Sequence, residues 1–203
     1  AIALNCENNR DERSRYLLVE NRKVENYVDM ALYYARMDAV YKDYMIAETN
    51  LQEVAQQVLL QNKYYLIQSH VKAEVAYPDT VYSDKKWIAF ILNQLIQNSV
   101  KYGRSEGTHI QIVTKKTKSG VLLRVKDDGI GIPKEEIPRI FEKGFTGTNG
   151  RNRERSTGMG LYLCRKLCDK LNIEIRAESA EGKGTEIILM FPVSDYLTGY
   201  RET

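Results

Sequence analysis

Between Gly129 and Thr157 the sequence loses all periodicity. The stretch is rich in glycine and charge and carries no apolar repeat of either helix or strand spacing. Loops this long are uncommon inside a compact domain and usually serve as lids or binding loops. A chain with such a segment needs an ordered scaffold on both sides of it, and the flanking sequence supplies one.

Residues 12 to 46 contain no Gly or Pro and predict one long helix. Val24, Val28, Ala31 and Ala35 recur at the spacing of a coiled-coil or bundle seam, and Leu17, Leu32 and Met37 widen it. Such a stripe must be covered, either by a partner helix or by the chain's own globular part. Thr49-Asn50, with Glu53 close behind, predict a helix start, and that helix runs to about Ser69. Residues 71 to 77 alternate as a strand and end at the turn Pro78-Asp79. A helix follows over 84–102, its apolar face formed by Trp87, Ile88, Phe90, Ile91, Leu95 and Ile96. Strands are expected at 108–115 and 120–127, joined by Lys118-Ser119-Gly120. Beyond the loop, 158–171 reads as a helix, and 173–178 and 185–191 as strands around Glu181-Gly182-Lys183-Gly184. This order predicts a two-layer α/β sandwich over 49–203, preceded by a helical segment over 1–48.

Composition narrows the function classes. A hydrophobic fraction of 43% in 203 residues supports a packed core and argues against global disorder. The net charge of +3 is spread among interleaved acids, so no nucleic-acid surface is expected. Arg151, Arg153 and Arg155 form the one basic cluster. The three cysteines, Cys6, Cys164 and Cys168, form no CxxC pair, which points away from a disulfide framework or a zinc site. Cys164 and Cys168, four apart on a helix, read as buried packing. No apolar run approaches the roughly 20 residues of a membrane span.

Four short segments carry chemistry. On the 84–102 helix, Gln94, Asn98 and Lys101 share a face. Alone this stripe reads as solvated, but an amide oxygen suits Mg²⁺ and a lysine suits phosphate. Asp127-Asp128-Gly129-Ile130-Gly131-Ile132-Pro133 follows a strand; its glycines let backbone approach a ligand, and its first carboxylate can accept from an exocyclic amine. Ile140-Phe141-Glu142-Lys143-Gly144-Phe145-Thr146-Gly147 lies within the loop. Ser156-Thr157-Gly158-Met159-Gly160-Leu161 opens a helix, where free N–H groups and the helix dipole favour an anion. Neither GxxxxGK[ST] nor GxGxxG occurs, so the Walker and dinucleotide modes are excluded.

The order and spacing of these segments resemble the sensor histidine kinases, whose ATP-binding domain has the Bergerat (GHKL) fold. The resemblance runs from about Trp87 to Phe191 through NQLIQNSVKY, DDGIGIP, IFEKGFTG, STGMGL and GKGT. FEKGFTG followed by STGMGLYL is most similar to the small-sensor, intramembrane-sensing kinases of Gram-positive bacteria, which respond to cell-wall-active peptides, often with a transporter. The resemblance implies ATP and Mg²⁺ as cofactors. It gives Asn98 the metal, Lys101 a phosphate, and Tyr102 a place against the nucleotide. Asp127 takes the adenine amine, supported by Thr185, while Gly129, Gly131 and Ile132 pass the base. Phe141 to Thr157, with Phe145, become a mobile lid, and Thr157, Gly158, Met159, Gly160 and Leu161 wrap the phosphates. Lys143 and the three arginines are either a triphosphate grip or a solvated charged loop.

Position 94 is Gln where hydrolytic members of the fold carry a catalytic Glu, which favours a kinase. Asp128 stands where Asn is common. His70 and His109, the two histidines, lack the context of a phosphoacceptor. Residues 12–46 resemble the second helix of a dimerisation hairpin, with Ala1 to Cys6 a remnant of the first. The expected partners are therefore a response regulator, a second copy through the hairpin and a membrane transporter, and the expected location is the cytoplasmic side of a cell-membrane protein. A Bergerat ATPase and a non-catalytic interaction module are the competing readings.

Overall fold

The computed structural model describes residues 12–36, 45–148 and 157–193. Five helices and seven strands are described. Helix α1 spans Glu12–Arg36, strand β1 Ala47–Asn50, α2 Leu51–Gln61, α3 Lys63–Gln68, β2 Val71–Ala76, β3 Thr80–Ser83 and α4 Lys85–Lys101. Strands β4 (Thr108–Thr117) and β5 (Gly120–Asp127), helix α5 (Gly160–Lys170), and strands β6 (Glu174–Ala180) and β7 (Gly184–Pro192) complete the order.

Five strands form one sheet in the order β2-β4-β5-β7-β6, antiparallel except for the β2–β4 pair. Strict alternation decides which face is buried. Ile112 is registered opposite Val125, and Val125 opposite Ile187. Leu123 lies opposite Leu189, which in turn lies opposite Ile175. All of these belong to one core with the inner faces of α2, α4 and α5. The other face is polar where β5 meets β7: Arg124 reaches Glu186 at 2.7 Å. The architecture is the two-layer α/β sandwich expected from the sequence.

Helix α4 is the spine of the helical layer. Its start is set by Asp84, whose Oδ1 accepts from the backbone N–H groups of Lys86 and Trp87 at 2.9 and 3.3 Å. The other oxygen accepts from Met45 N–H at 2.9 Å, which ties the chain entering the domain to this helix. Trp87, Ile88, Phe90, Ile91, Leu92, Leu95 and Ile96 are all buried on α4. Cys164 and Cys168 on α5 are buried too, as their spacing suggested. Burial pushes the Cys168 thiol up to about 12 and the Cys164 thiol well above its ordinary value, so both are inert packing groups.

Two local expectations differ from the structure. The helix expected over 49–69 is two helices, because Asn62 interrupts it: its Nδ2 donates to Val58 O and to Asn93 Oδ1, both at 2.8 Å. Ala47–Asn50 is a strand where the long helix was expected to be ending. It pairs with β3, which periodicity over 4 residues could not reveal. Asn50 is nonetheless the predicted cap, accepting from Gln52 and Glu53 N–H. Met37, expected to widen the apolar stripe of the long helix, lies outside the described residues, as do Cys6 and the arginines 151, 153 and 155.

Helix α1 uses two faces. Tyr33 packs on the domain, its ring 4.8 Å from Trp87 and 4.3 Å from Phe90. The seam of Val24, Val28, Ala31 and Ala35 stays exposed, with Leu17 and Leu32 beside it. Both coverings considered from the sequence thus have a face available.

Leu123, fully buried at the sheet centre, reports on this core. Leu123→Ala should lower the unfolding free energy by about 2–5 kcal/mol, seen as a lower urea midpoint with an unchanged slope.

Candidate functional site

A cleft opens beyond the ends of β5 and β7, bounded by α4, the segment 131–147, the start of α5 and the flank of α1. Its deepest charged group is Asp127, the last residue of β5. Oδ1 accepts two backbone N–H bonds, from Gly129 at 2.9 Å and from Thr185 at 3.2 Å. Oδ2 accepts the Ser99 hydroxyl of α4 at 2.9 Å. With two lone pairs per oxygen, Oδ1 is filled and Oδ2 keeps one acceptor position for a ligand in the cleft. Burial raises the carboxyl above its ordinary value of 3.8, against the lowering effect of these hydrogen bonds. A carboxylate perturbed in a cleft, with a specific partner set, is a candidate functional group.

The glycines around Asp127 are needed for a different reason from the one the sequence suggested. At Gly131, φ is +71° and a Cβ would fall 2.0 Å from Ala180 O. A Cβ at Gly129 would fall 2.5 Å from Tyr102 O. Both positions let two stretches of backbone interlock beneath the cleft, rather than only admitting a ligand.

Helix α4 turns its polar stripe into the cleft. Gln94, Asn98 and Lys101 all line it, and Gln94 is buried, so the stripe is not a solvated face. Gln94 Oε1 abuts Gly160, where a Cβ would lie 2.8 Å away. This contact joins the stripe to the N-terminus of α5.

The loop is pinched at its base, where Gly144 N–H donates to Gly158 O at 3.1 Å. Gly158 has φ +65°, and a Cβ there would lie 2.3 Å from Gly144 C. Glu136 ties the loop down further, accepting from both Thr148 N–H and its hydroxyl at 2.8 and 2.6 Å. Arg139 stacks over Phe145 and Arg165 over Phe141, each 4.7 Å from the ring centroid.

Of the residues singled out in the sequence, the cleft brings together Gln94, Asn98, Lys101, Tyr102, Asp127, Gly131, Ile132, Phe145, Thr157, Gly158, Gly160, Leu161 and Thr185. Gly129 lies beneath the wall instead of in it, and Met159 is outside the lining. Lys143 is directed to α1: its Nζ donates to the Tyr34 hydroxyl at 2.6 Å, which raises its pKa. Thr185 supports Asp127 through its backbone N–H, while its hydroxyl pairs with Ser179 at 3.0 Å.

Sequence reasoning missed Tyr27 and Met30 of α1, which line the cleft across from the sheet, and Ser99, Glu136 and Tyr65. Ser99 was legible, one residue past Asn98 in a segment already under scrutiny. Tyr27 and Met30 carried no signal, because their place depends on how α1 docks.

Residues 83–195 match the family model described as histidine kinase-, DNA gyrase B- and HSP90-like ATPase. The chain belongs to this family. Within it, the sensor kinases are the near relatives. The chain is 34% identical over 174 residues to the sensor histidine kinase YxdK of Bacillus subtilis, covering 85% of this chain and 54% of that protein. It is 36% identical over 186 residues to the sensor protein kinase GraS of Staphylococcus aureus, covering 91% and 53%. The chain therefore spans about half the length of the curated relatives it matches. Among solved structures, the nucleotide-free catalytic domain of histidine kinase ThkA superposes with a TM-score of 0.62 at 27% identity, covering 73% of this chain and 97% of that one. ThkA in complex with the response regulator protein TrrA shares the fold, with a TM-score of 0.66 at 20% identity, covering 93% and 53%. The chain thus carries the ATPase domain of this family, and the curated relatives named here are sensor kinases of Gram-positive bacteria.

Asp127 makes a pH-dependent contribution to the stability of this domain. The folded carboxyl binds its proton more readily than the unfolded one, so its contribution is most favourable at low pH and declines as pH rises from 3.8 through the raised value. In Asp127→Asn the amide oxygen takes the two N–H bonds and the amide nitrogen donates to Ser99, so the fold is retained. Urea unfolding across pH 3.5–8 should show a smaller decline for the variant than for the parent.

Proposed function

We propose that this domain binds ATP with Mg²⁺ in the cleft and passes the γ-phosphoryl group to a histidine on a segment this chain does not carry. A response-regulator aspartate then receives the phosphate. The observation that carries the reading is the single open acceptor position on Asp127 Oδ2, inside a cleft that Asn98, Lys101 and the N-terminus of α5 also line. Adenine fits the first and phosphates the second.

The roles are those the family resemblance implies, and the lining of the cleft supports them. Asp127 accepts the adenine amine, Thr185 and Ser99 hold that carboxylate, and Ile132 and Gly131 lie along the base. Tyr102 lies against the nucleotide. Lys101 neutralises phosphate charge, and the backbone from Thr157 to Leu161 cradles it. Among the described residues no three His, Cys, Asp or Glu side chains cluster as metal ligands. Mg²⁺ would be held by the amide oxygen of Asn98, with nucleotide phosphates and water completing its shell, a usual arrangement for this ion. The metal would neutralise charge on the phosphates. The chain's own contribution is alignment and the exclusion of water.

Gln94 separates this reading from that of a hydrolase. Its amide cannot take a proton from water, so turnover of ATP to ADP by the domain alone is slow. Lys143 is held by Tyr34 in this arrangement and reaches the triphosphate only if the lid leaves α1.

The exposed seam of α1 supports pairing with a second copy in the full-length protein, with residues 1–48 belonging to that helical part and 49–203 to the catalytic one. No described helix is long and apolar enough to cross a membrane; the resemblance to sensor kinases supports a cytoplasmic position in a membrane-anchored protein. A transporter partner rests on the similarity to the small-sensor kinases. The response-regulator partner is supported by the ThkA complex with TrrA.

Calorimetric titration with the β,γ-imido analogue of ATP and Mg²⁺ should give binding in the micromolar range, about −8 kcal/mol at 1 μM. Asp127→Asn should abolish it, because the amide N–H would face the adenine amine. Retained binding in that variant would refute the role of Asp127. Parent affinity should also fall as pH drops through the raised Asp127 pKa, since the ionised carboxylate is the acceptor. With ATP itself, ADP release well above one turnover per minute would favour the hydrolase reading.

A further inference from the structure

Arg104 lies just past the end of α4, outside every segment singled out in the sequence, and its guanidinium does not enter the cleft. Nε donates to the backbone carbonyl of Asp128 at 2.7 Å. Nη2 donates to the backbone carbonyl of Gly182. Its own N–H donates to Thr108 Oγ1 at 2.9 Å, which fixes where the side chain starts. One planar fork thus bridges the residue that follows Asp127 and the turn that leads into Thr185.

These are the two segments whose relative position decides where the Asp127 carboxylate stands. Thr185 N–H and Gly129 N–H both bond Oδ1, one from each segment. Gly182 N–H donates to Ile130 O at 2.7 Å, and Ile132 N–H to Ser179 Oγ at 2.9 Å, so the segments are laced together. The fit is close, since a Cβ at Gly184 would lie 2.0 Å from Asp127 O. Arg104 closes the lacing on the outer, exposed side, where carbonyls would otherwise face water.

We propose that Arg104 is a positioning residue for base selection: it sets the Asp127 acceptor at the place where a 6-amino purine is recognised and a 6-oxo purine is rejected. The inference rests on the adenine reading of Asp127 above. Because both hydrogen bonds are charge-assisted and the fork geometry is specific to Arg, Lys can reproduce one of them at a time. Because the guanidinium is exposed, its contribution to global stability is small.

The test compares the β,γ-imido analogues of ATP and of ITP, each with Mg²⁺, on the parent chain, Arg104→Gln and Arg104→Lys, with thermal unfolding of each. The parent should prefer the 6-amino base. Arg104→Gln should weaken the ATP analogue about five- to tenfold while leaving the ITP analogue nearly unchanged, the scale of one displaced hydrogen bond. Its unfolding temperature should stay within about 3 °C of the parent. Arg104→Lys should fall between the two. A parent-like preference in Arg104→Gln overturns the inference, as does equal weakening of both analogues. A parent without base preference overturns the adenine reading of Asp127 and this inference with it.

Discussion

The Asp127 carboxylate is the point at which helix, loop and sheet are joined. Ser99 reaches it from α4, Gly129 from its own loop and Thr185 from β7. A buried carboxylate is costly even with three donors, which is why its pKa stays raised. An apolar residue at the end of β5 would avoid that cost. The glycines at 129, 131 and 184 follow from the same constraint, since each admits backbone that a side chain would displace.

The rest of the domain is arranged around that junction. The antiparallel register of β5 and β7 places Asp127 opposite Thr185, and a shift of one residue would bury Lys126 in its place. On the same strands, Val125, Leu123, Ile187 and Leu189 face the core and hold the register. Core packing and ligand recognition are thus two readings of one alternation. The capped start of α4 sets the helix phase that turns Gln94, Asn98 and Lys101 toward the cleft.

Helix α1 touches the core, the cleft and the loop at once. Tyr33 is wedged against Trp87 and Phe90, Met30 and Tyr27 line the cleft, and Tyr34 holds Lys143 of the loop. A rotation of α1 would therefore alter both the cleft wall and the base of the lid.

The sequence by itself determined the elements with strong periodicity and most of the residues that line the cleft. The apolar face of α4, the alternation of β4, β5 and β7, and the glycine-punctuated loop were all legible, because each is encoded within a short window. The motif residues from Gln94 to Thr185 were legible as chemistry for the same reason. Only the tertiary structure decided that Gln94 is buried against Gly160, that Lys143 turns to Tyr34, and that Thr185 acts through its backbone. It also placed the short strands β1 and β3, Tyr27 and Met30 in the cleft wall, and Arg104 across two distant turns. These depend on contacts between residues 24 to 109 positions apart along the chain, where no local pattern records the partner.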